Sequence, residues 1–141
     1  MRRVFKTRHF SRWARKSELS QEALCLAVSE MENGLIDAEL GGGVVKKRVP
    51  LPGRGKSGST RTLLATNKGS LWFFIFGFEK NERANISLRE LVALKAIAAD
   101  LLKLNSAELD VQVAREVLQE ICHDDQDEEK PYPGNGPRDR A

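Results

Sequence analysis

Residues 60–78 read TRTLLATNKGSLWFFIFGF. The first part has the composition of a β-strand, and residues 67–70 (Asn-Lys-Gly-Ser) are typical of a tight turn. The run from Leu71 to Phe78 is apolar at successive positions, which indicates a central strand that is covered on both faces. The stretch therefore predicts an antiparallel hairpin at the centre of a sheet.

Upstream of this hairpin, two helices and two further strands are predicted. Residues 3–7 alternate weakly, as a first strand does, and Phe10, Trp13 and Ala14 then recur at helical spacing. A second helix begins at the N-cap Ser20 and ends at Gly34. The glycines at 41–43 break the chain before a strand over 44–49, and residues 50–59 have the composition of a loop. With its neighbours, the hairpin forms an antiparallel meander, and the helices cover one face of it. The predicted class is α+β.

Downstream, the spacing predicts two more helices. A capping box at Ser87 opens a helix that runs to about Lys103. A second box at Asn105 opens a helix over 105–122, whose apolar stripe must pack on the domain, on a partner or on a second copy of the chain in a homodimer. Residues 124–141 are acidic and rich in Pro and Gly, so we expect disorder there. The predicted organisation is a domain over 1–104, an additional C-terminal helix over 105–123 and an acidic disordered tail over 124–141.

Composition excludes several classes of protein. The longest apolar run has eight residues, which is too short to span a membrane, and no apolar stretch follows the charged N-terminus, so we expect a cytoplasmic protein. Two cysteines are too few for a disulfide framework, and with His9 and His123 they form no metal-ligand cluster. Cys25 is expected to be a buried thiol. We expect neither a metal nor a cofactor.

Charge is distributed unevenly along the chain. Residues 1–61 carry a net charge of +7, whereas residues 106–141 carry −6. A basic half followed by an acidic end suggests a surface that binds polyanions. Gly55-Lys56-Ser57 is similar to the end of a phosphate-binding P-loop, but Pro50 stands where that motif needs glycine, and the residues that follow are typical of a strand. A nucleoside triphosphatase is therefore excluded.

The cations fall into two clusters at the ends of predicted strands. Strand alternation places Lys46 and Arg48 on one face and Lys47 on the other. Neighbouring strands of a meander meet at their ends, so the two clusters can converge on one phosphate site, although cations that guard solvated strand edges are the alternative. The first cluster is Lys46, Lys47, Arg48, Arg54, Lys56 and Arg61, and the second is Lys80 and Arg83.

Four segments together resemble the RelE/HigB family of bacterial toxins from type II toxin–antitoxin systems. They are Phe5-Lys6-Thr7, GGGVVKKR at 41–48, GKSGSTR at 55–61 and FGFEKNERANI at 76–86, and the resemblance covers residues 2 to about 104. It implies a compact RelE-like fold, with N-terminal helices packed on a twisted antiparallel sheet. It also implies metal-free, ribosome-dependent cleavage of mRNA by means of the RNA 2′-OH, and silencing by a small cognate antitoxin that is often a helix-turn-helix protein.

The resemblance also implies roles for the basic residues. Arg61 suits phosphate stabilisation, because its guanidinium is a planar and permanently charged fork. Either Lys56 or Lys80 can act as the general base, provided that neighbouring cations lower its pKa. The expected catalytic set is Lys56, Arg61, Lys80 and Arg83, and the expected RNA-binding set is Lys46, Lys47, Arg48 and Arg54.

The chain departs from the family pattern in its aromatic and acid–base residues. Thr60 stands where many relatives have an aromatic residue, and the only tyrosine, Tyr132, is in the tail. His9 and His123 are expected to be surface or packing residues, and Phe76 is expected to belong to the core. Two alternatives stay open: a ParE-like inhibitor of gyrase, and a non-catalytic cationic module that binds nucleic acid.

Overall fold

A computed structural model describes residues 2–51 and 59–123. Within these residues there are ten elements, in the order β1 (Arg3–Thr7), α1 (Arg8–Lys16), α2 (Gln21–Glu32), β2 (Ala38–Gly41), β3 (Val44–Pro50), β4 (Ser59–Thr66), β5 (Leu71–Glu79), α3 (Leu88–Leu102), α4 (Ser106–Ala114) and β6 (Leu118–Ile121).

The strands form one six-stranded sheet in the order β2-β3-β4-β5-β1-β6. All neighbours are antiparallel except β1 and β5, which run parallel. The predicted meander of β3, β4 and β5 is confirmed, as is the α+β class. The parallel pair arises because the chain crosses through α1 and α2 between β1 and the meander, and β1 then lies beside the last meander strand.

Helices cover both faces of the sheet, and each face has its own apolar cluster. On one face, Phe10 of α1 and Leu24 of α2 pack with Trp72 and Phe74 of β5. On the other, Leu94 and Ala98 of α3 and Leu109 of α4 pack with Phe5 and Phe73, among others. The prediction that β5 is covered on both faces is confirmed. Burial of large aromatic and aliphatic side chains on both sides supplies the main stabilisation, at about 1.5–3 kcal/mol for each fully buried side chain.

The glycines at 41–43 form a hairpin turn between β2 and β3. All three have positive φ values, of +85°, +63° and +82°, which glycine adopts without steric cost. The predicted chain break is therefore the turn of a hairpin whose first strand, β2, the sequence did not reveal. That strand lies at the edge of the sheet and is only half buried, so its composition lacks a strong apolar signal.

The predicted helix over 105–122 is wrong in its second half. Helix α4 ends at Ala114, and β6 follows and pairs antiparallel with β1. Apolar residues at 117, 118 and 121 fit either periodicity, and the choice is made by the free edge of β1, whose backbone groups need partners. Arg3 of β1 reinforces the pairing, since its Nε and Nη2 donate to Glu120 at 2.9 and 2.8 Å.

The formation of β6 also determines where the apolar residues of the segment 105–122 pack. Leu109, Leu118 and Ile121 are all buried against the domain's own sheet. Of the stripe, Val117 remains exposed and Val113 is partly buried. Of the three alternatives for this stripe, packing on the domain therefore accounts for these three side chains, and they do not require a partner or a second copy of the chain.

Cys25 is not a free thiol, contrary to the prediction. It forms a disulfide with Cys122, with a Cα–Cα distance of 5.5 Å. The two residues are 97 positions apart, and only the pairing of β6 with β1 brings Cys122 to the face that α2 covers. Pairing of two distant cysteines depends on tertiary geometry, which spacing alone does not give.

Within residues 2–51 and 59–123, no helix has both the length and the hydropathy that crossing a membrane requires. The tail over 124–141 lies outside the described residues.

Candidate active site

Basic and aromatic side chains meet on the α3-covered face of the sheet, where β3 ends and β4 begins. Arg48 stands directly opposite Arg61, and Arg61 stands directly opposite Phe78. Cross-strand partners share a face, so these three side chains form one row. We call the surface formed by Arg48, Arg61, Arg83, Phe76 and Phe78 the arginine face.

Neither arginine of the β3–β4 pair has a carboxylate partner among the described residues. The Nη1 of Arg61 donates to Ser59 Oγ at 3.1 Å, and the backbone N–H of Arg48, rather than its guanidinium, donates to Asp37 at 2.6 Å. Both strands are held rigidly beneath them, because Thr60 and Thr62 donate their hydroxyls to the carbonyls of Val49 and Lys47, each at 2.9 Å. In the described part of the chain, two guanidinium groups thus lie without a carboxylate partner above two strands that are held firmly together.

Arg83 reaches the same face from the turn after β5. Its guanidinium carbon lies 5.5 Å from the ring centre of Phe76 and 5.2 Å from that of Phe78. Its Nη2 donates to Glu90 Oε2 at 2.8 Å, and this hydrogen bond lowers the pKa of the Glu90 carboxyl. Glu90 is itself fixed by the capping box of α3. Arg83 is therefore positioned by two rings and one carboxylate.

His9 extends the arginine face with a stacked ring. Its imidazole lies 5.7 Å from the ring of Phe76, with 5° between the planes, and His9 is exposed. Both residues border an open apolar cavity of about 330 Å³ beside α3. A partly exposed aromatic ring next to cations is the combination that binds nucleic-acid bases by stacking.

The expectation that Phe76 belongs to the core is only partly right, and the reason is a β-bulge. Leu64 pairs with Phe74, but the next residue back, Leu63, pairs with Phe76. Without this shift, simple alternation would place Phe76 on the α1–α2 face with Phe74. Nothing in the sequence signalled the bulge, and His9 is too far from Phe76 along the chain for their contact to be seen.

The remaining predicted residues are placed differently. Lys46 lies on the same face as Arg48, whereas Lys47 points to the other side, as alternation predicted. The Lys47 ammonium is buried and binds Glu30 and the Leu35 carbonyl, each at 2.9 Å. Lys80 follows β5 immediately and is exposed. Its backbone N–H donates a hydrogen bond to the Ser59 carbonyl at 3.4 Å.

Arg54 and Lys56 lie outside the described residues. The chain leaves the described part at Leu51 and re-enters it at Ser59, and Ser59 accepts the hydrogen bond from Arg61. Among residues 2–51 and 59–123, no three His, Cys, Asp or Glu side chains are grouped as metal ligands.

The arrangement suits one kind of chemistry. Guanidinium groups bind phosphate oxygens through paired hydrogen bonds, and their fixed charge can stabilise the negative charge that develops when a phosphodiester is attacked. The adjacent rings can hold a base. Cations beside exposed rings are the combination that proteins use to bind single-stranded nucleic acids.

Residues 2–121 match the family model described as the RelE toxin of the RelE/RelB toxin–antitoxin system. The match continues through α4 and β6, beyond the point near residue 104 where the sequence resemblance was expected to stop. Neither a curated protein nor a solved structure matches the chain.

Proposed function

The chain belongs to the RelE toxin family, which makes it the toxin of a toxin–antitoxin pair, and we propose that it acts as a metal-independent endoribonuclease on mRNA bound to the ribosome. The observation that carries this proposal is the Arg48–Arg61 pair. Two like charges face each other on a rigid hairpin with no carboxylate among the described residues to neutralise them. A polyanion supplies the missing charge.

In the proposed reaction, the 2′-OH of one nucleotide attacks the adjacent phosphorus. The 2′ oxygen–phosphorus bond forms and the bond to the 5′ oxygen of the next nucleotide breaks, which leaves a 2′,3′-cyclic phosphate and a free 5′-OH. One group must take the 2′ proton, and another must give a proton to the 5′ oxygen. We assign the first task to Lys56 or Lys80, and stabilisation of the charged phosphorane to Arg61 and Arg83.

The other residues bind rather than react. Lys46 and Arg48 lie along the same face and suit contacts with the RNA backbone, with Arg54 as a further contact. We do not assign Lys47 to RNA, because its ammonium is already buried between Glu30 and Leu35. The rings of Phe76 and His9 would stack on a base beside the scissile phosphate and so supply the aromatic surface that Thr60 does not.

Family membership also implies a cognate antitoxin. We propose that this antitoxin is a small helix-turn-helix protein, and that the toxin acts in the cytoplasm, where translating ribosomes are found. We expect acidic groups of the antitoxin to cover the arginine face of the toxin in the silenced complex.

The test is cleavage by purified protein of mRNA on programmed ribosomes, with naked mRNA alongside. We expect cuts within the occupied ribosomal site, products that end in a 2′,3′-cyclic phosphate and a 5′-OH, and an unchanged rate when a chelator is added at a concentration that leaves the ribosomes intact. Lys103→Ala removes a cation at the far end of α3 and is expected to cleave at the wild-type rate. It is therefore the charge-matched control for substitutions in the arginine face. Intact mRNA together with inhibited DNA supercoiling by gyrase would show the ParE-like alternative instead.

A further inference from the structure

A second cationic site lies at the opposite edge of the sheet from the arginine face. Between α1 and β6 there is an open cavity of about 580 Å³. The charged and titratable groups around it are Lys6, Arg8, Arg15, Glu116, Glu120 and His123.

Lys6 is the unusual member of this group. Lys6 lines the cavity, and the residue is only 8% exposed. Its ammonium has no hydrogen bond or ion pair within the described part of the chain. Burial lowers the pKa of Lys6, and the charge of Arg15 lowers it further. A buried charge without a partner is costly, so the site favours an anion.

The acids around the cavity do not provide that anion. The carboxylate of Glu120 is held by Arg3 through two hydrogen bonds of 2.8 and 2.9 Å. Glu116 is exposed. Its backbone carbonyl, rather than its carboxylate, accepts a hydrogen bond of 3.0 Å from Arg8. The three cations Lys6, Arg8 and Arg15 therefore face at most one carboxylate that is not already paired.

The chain carries a suitable anion next to this cavity. Residues 124–129 read DDQDEE, so five of six side chains are acidic. They follow His123, which lines the cavity, and the disulfide between Cys122 and Cys25 fixes the point from which they leave the domain. An extended chain spans at most 3.3–3.6 Å per residue, so four residues of chain can reach up to about 14 Å from His123, which is far enough to enter the cavity.

We propose that the carboxylates of residues 124–129 occupy the α1–β6 cavity of the same molecule and pair with Lys6 and Arg15. Attachment to the cavity wall gives these carboxylates a local concentration in the millimolar range, which favours them over a free anion or a nucleic acid. The acidic end of the chain thereby neutralises a cationic site that is separate from the arginine face. This inference does not depend on the proposed nuclease activity.

Zero-length cross-linking with a carbodiimide tests the contact directly, since the reagent joins an amine to a carboxylate only when the two touch. The full chain is treated and the linked peptides are mapped by mass spectrometry. The Lys47–Glu30 pair, at 2.9 Å, is the internal positive control. We expect Lys6 to link to residues 124–129, and we expect Lys6→Arg, which keeps the charge but removes the amine, to lose this link while the control link persists.

Two outcomes would overturn the proposal. One is formation of the Lys47–Glu30 link while Lys6 stays unlinked or links only to Glu116. The other is a Lys6 link that joins labelled to unlabelled chains in an isotope-mixed sample, because the occupant would then be a second copy.

Pyrophosphate binding provides a second measurement, which does not depend on cross-linking. A chain that ends at His123 should bind pyrophosphate with a Kd at least tenfold lower than that of the full chain, since the competing carboxylates are gone. In that shortened chain, Lys6→Met should remove the difference. Equal affinities of the full and shortened chains would mean that the cavity is open to external anions such as RNA, and that residues 124–129 do not fill it.

Discussion

Arg48 and Arg61 face each other directly across β3 and β4, and neither guanidinium group forms an ion pair with a carboxylate of the described residues. Like charges in directly opposed positions destabilise a sheet, by an amount comparable to the 0.2–1 kcal/mol that favourable pairs contribute. We expect the free protein to retain this repulsion and a bound phosphate to relieve it. With RNA as the proposed ligand, we expect the stability of the free hairpin and its affinity for RNA to be linked.

Removing one charge of the Arg48–Arg61 pair should have opposite effects on the stability of the free protein and on its affinity for RNA. We expect Arg48→Gln to stabilise the free protein by a few tenths of a kcal/mol to about 1 kcal/mol, because the repulsion disappears. The same variant should bind RNA more weakly and with a shallower dependence on salt, because one phosphate contact is lost. Urea denaturation and a salt titration of RNA binding measure the two quantities, with Lys103→Gln as control. A destabilised variant with unchanged RNA affinity would contradict the role given to Arg48.

Arg61 should be needed for the chemical step. We expect Arg61→Ala to remove roughly 3–4 kcal/mol of transition-state stabilisation, which is a slowing of about two to three decades in single-turnover cleavage on saturated ribosomes. Arg61→Lys should recover only part of the rate, because an ammonium cannot form the paired contacts of a guanidinium. Lys103→Ala should cleave at the wild-type rate. If Arg61→Ala cleaves as fast as the wild type, Arg61 is not a catalytic residue.

Two substitutions distinguish stacking by His9 from proton transfer. His9→Phe keeps a flat ring on Phe76, whereas His9→Ala removes it. If His9 stacks on a base, we expect near wild-type cleavage from His9→Phe and a loss of about 1–3 kcal/mol of RNA binding from His9→Ala. Equal, large losses of single-turnover rate in both variants, with RNA affinity retained, would instead make His9 an acid or base.

The Arg83–Glu90 pair should make stability depend on pH in the acid range. The pKa of Glu90 is lowered in the folded protein, chiefly by the hydrogen bond from Arg83. The folded state therefore binds fewer protons than the unfolded state, so the pair stabilises fully above the unfolded pKa of about 4.3, and this stabilisation is lost as pH falls through the lower folded pKa.

Glu90→Gln keeps an acceptor for the α3 cap but cannot titrate. We expect its urea midpoint to fall less steeply between pH 5 and pH 3 than that of the wild type. Parallel curves for the two proteins would show that the Arg83–Glu90 contact is too weak to matter.

The disulfide should account for a large share of the domain's stability. Closing a loop between residues 97 positions apart restricts the unfolded chain, and the chain-entropy model gives about 4–5 kcal/mol for such a loop. We expect reduction with dithiothreitol to lower the unfolding free energy of the wild type by up to this amount. A Cys25→Ala/Cys122→Ala double variant is the control and should not respond to reductant. A wild-type midpoint that is insensitive to reductant would contradict the bond's stabilising role.

The centre of the fold could be predicted from sequence because its signals are local. The apolar run of β5, the turn at 67–70 and the alternation of Lys46, Lys47 and Arg48 each depend on a few neighbouring residues. The bulge opposite Leu63 and Leu64 and the edge strand β6 depend instead on tertiary partners. Alternation could therefore place Lys46 and Arg48 on one face, whereas the register that sets Arg48 opposite Arg61 and the stacking of His9 on Phe76 could not be anticipated.

The order of the strands has a consequence for synthesis of the toxin. β1 is the first strand to be made, yet both of its sheet neighbours, β5 and β6, are made after β2, β3 and β4. Its backbone groups stay unpaired until residues 71–79 have left the ribosome, and one side stays open until residues 118–121 follow. A growing chain therefore cannot complete the sheet that supports the arginine face. The ribosome that makes this protein carries an incomplete sheet until residues 118–121 have emerged.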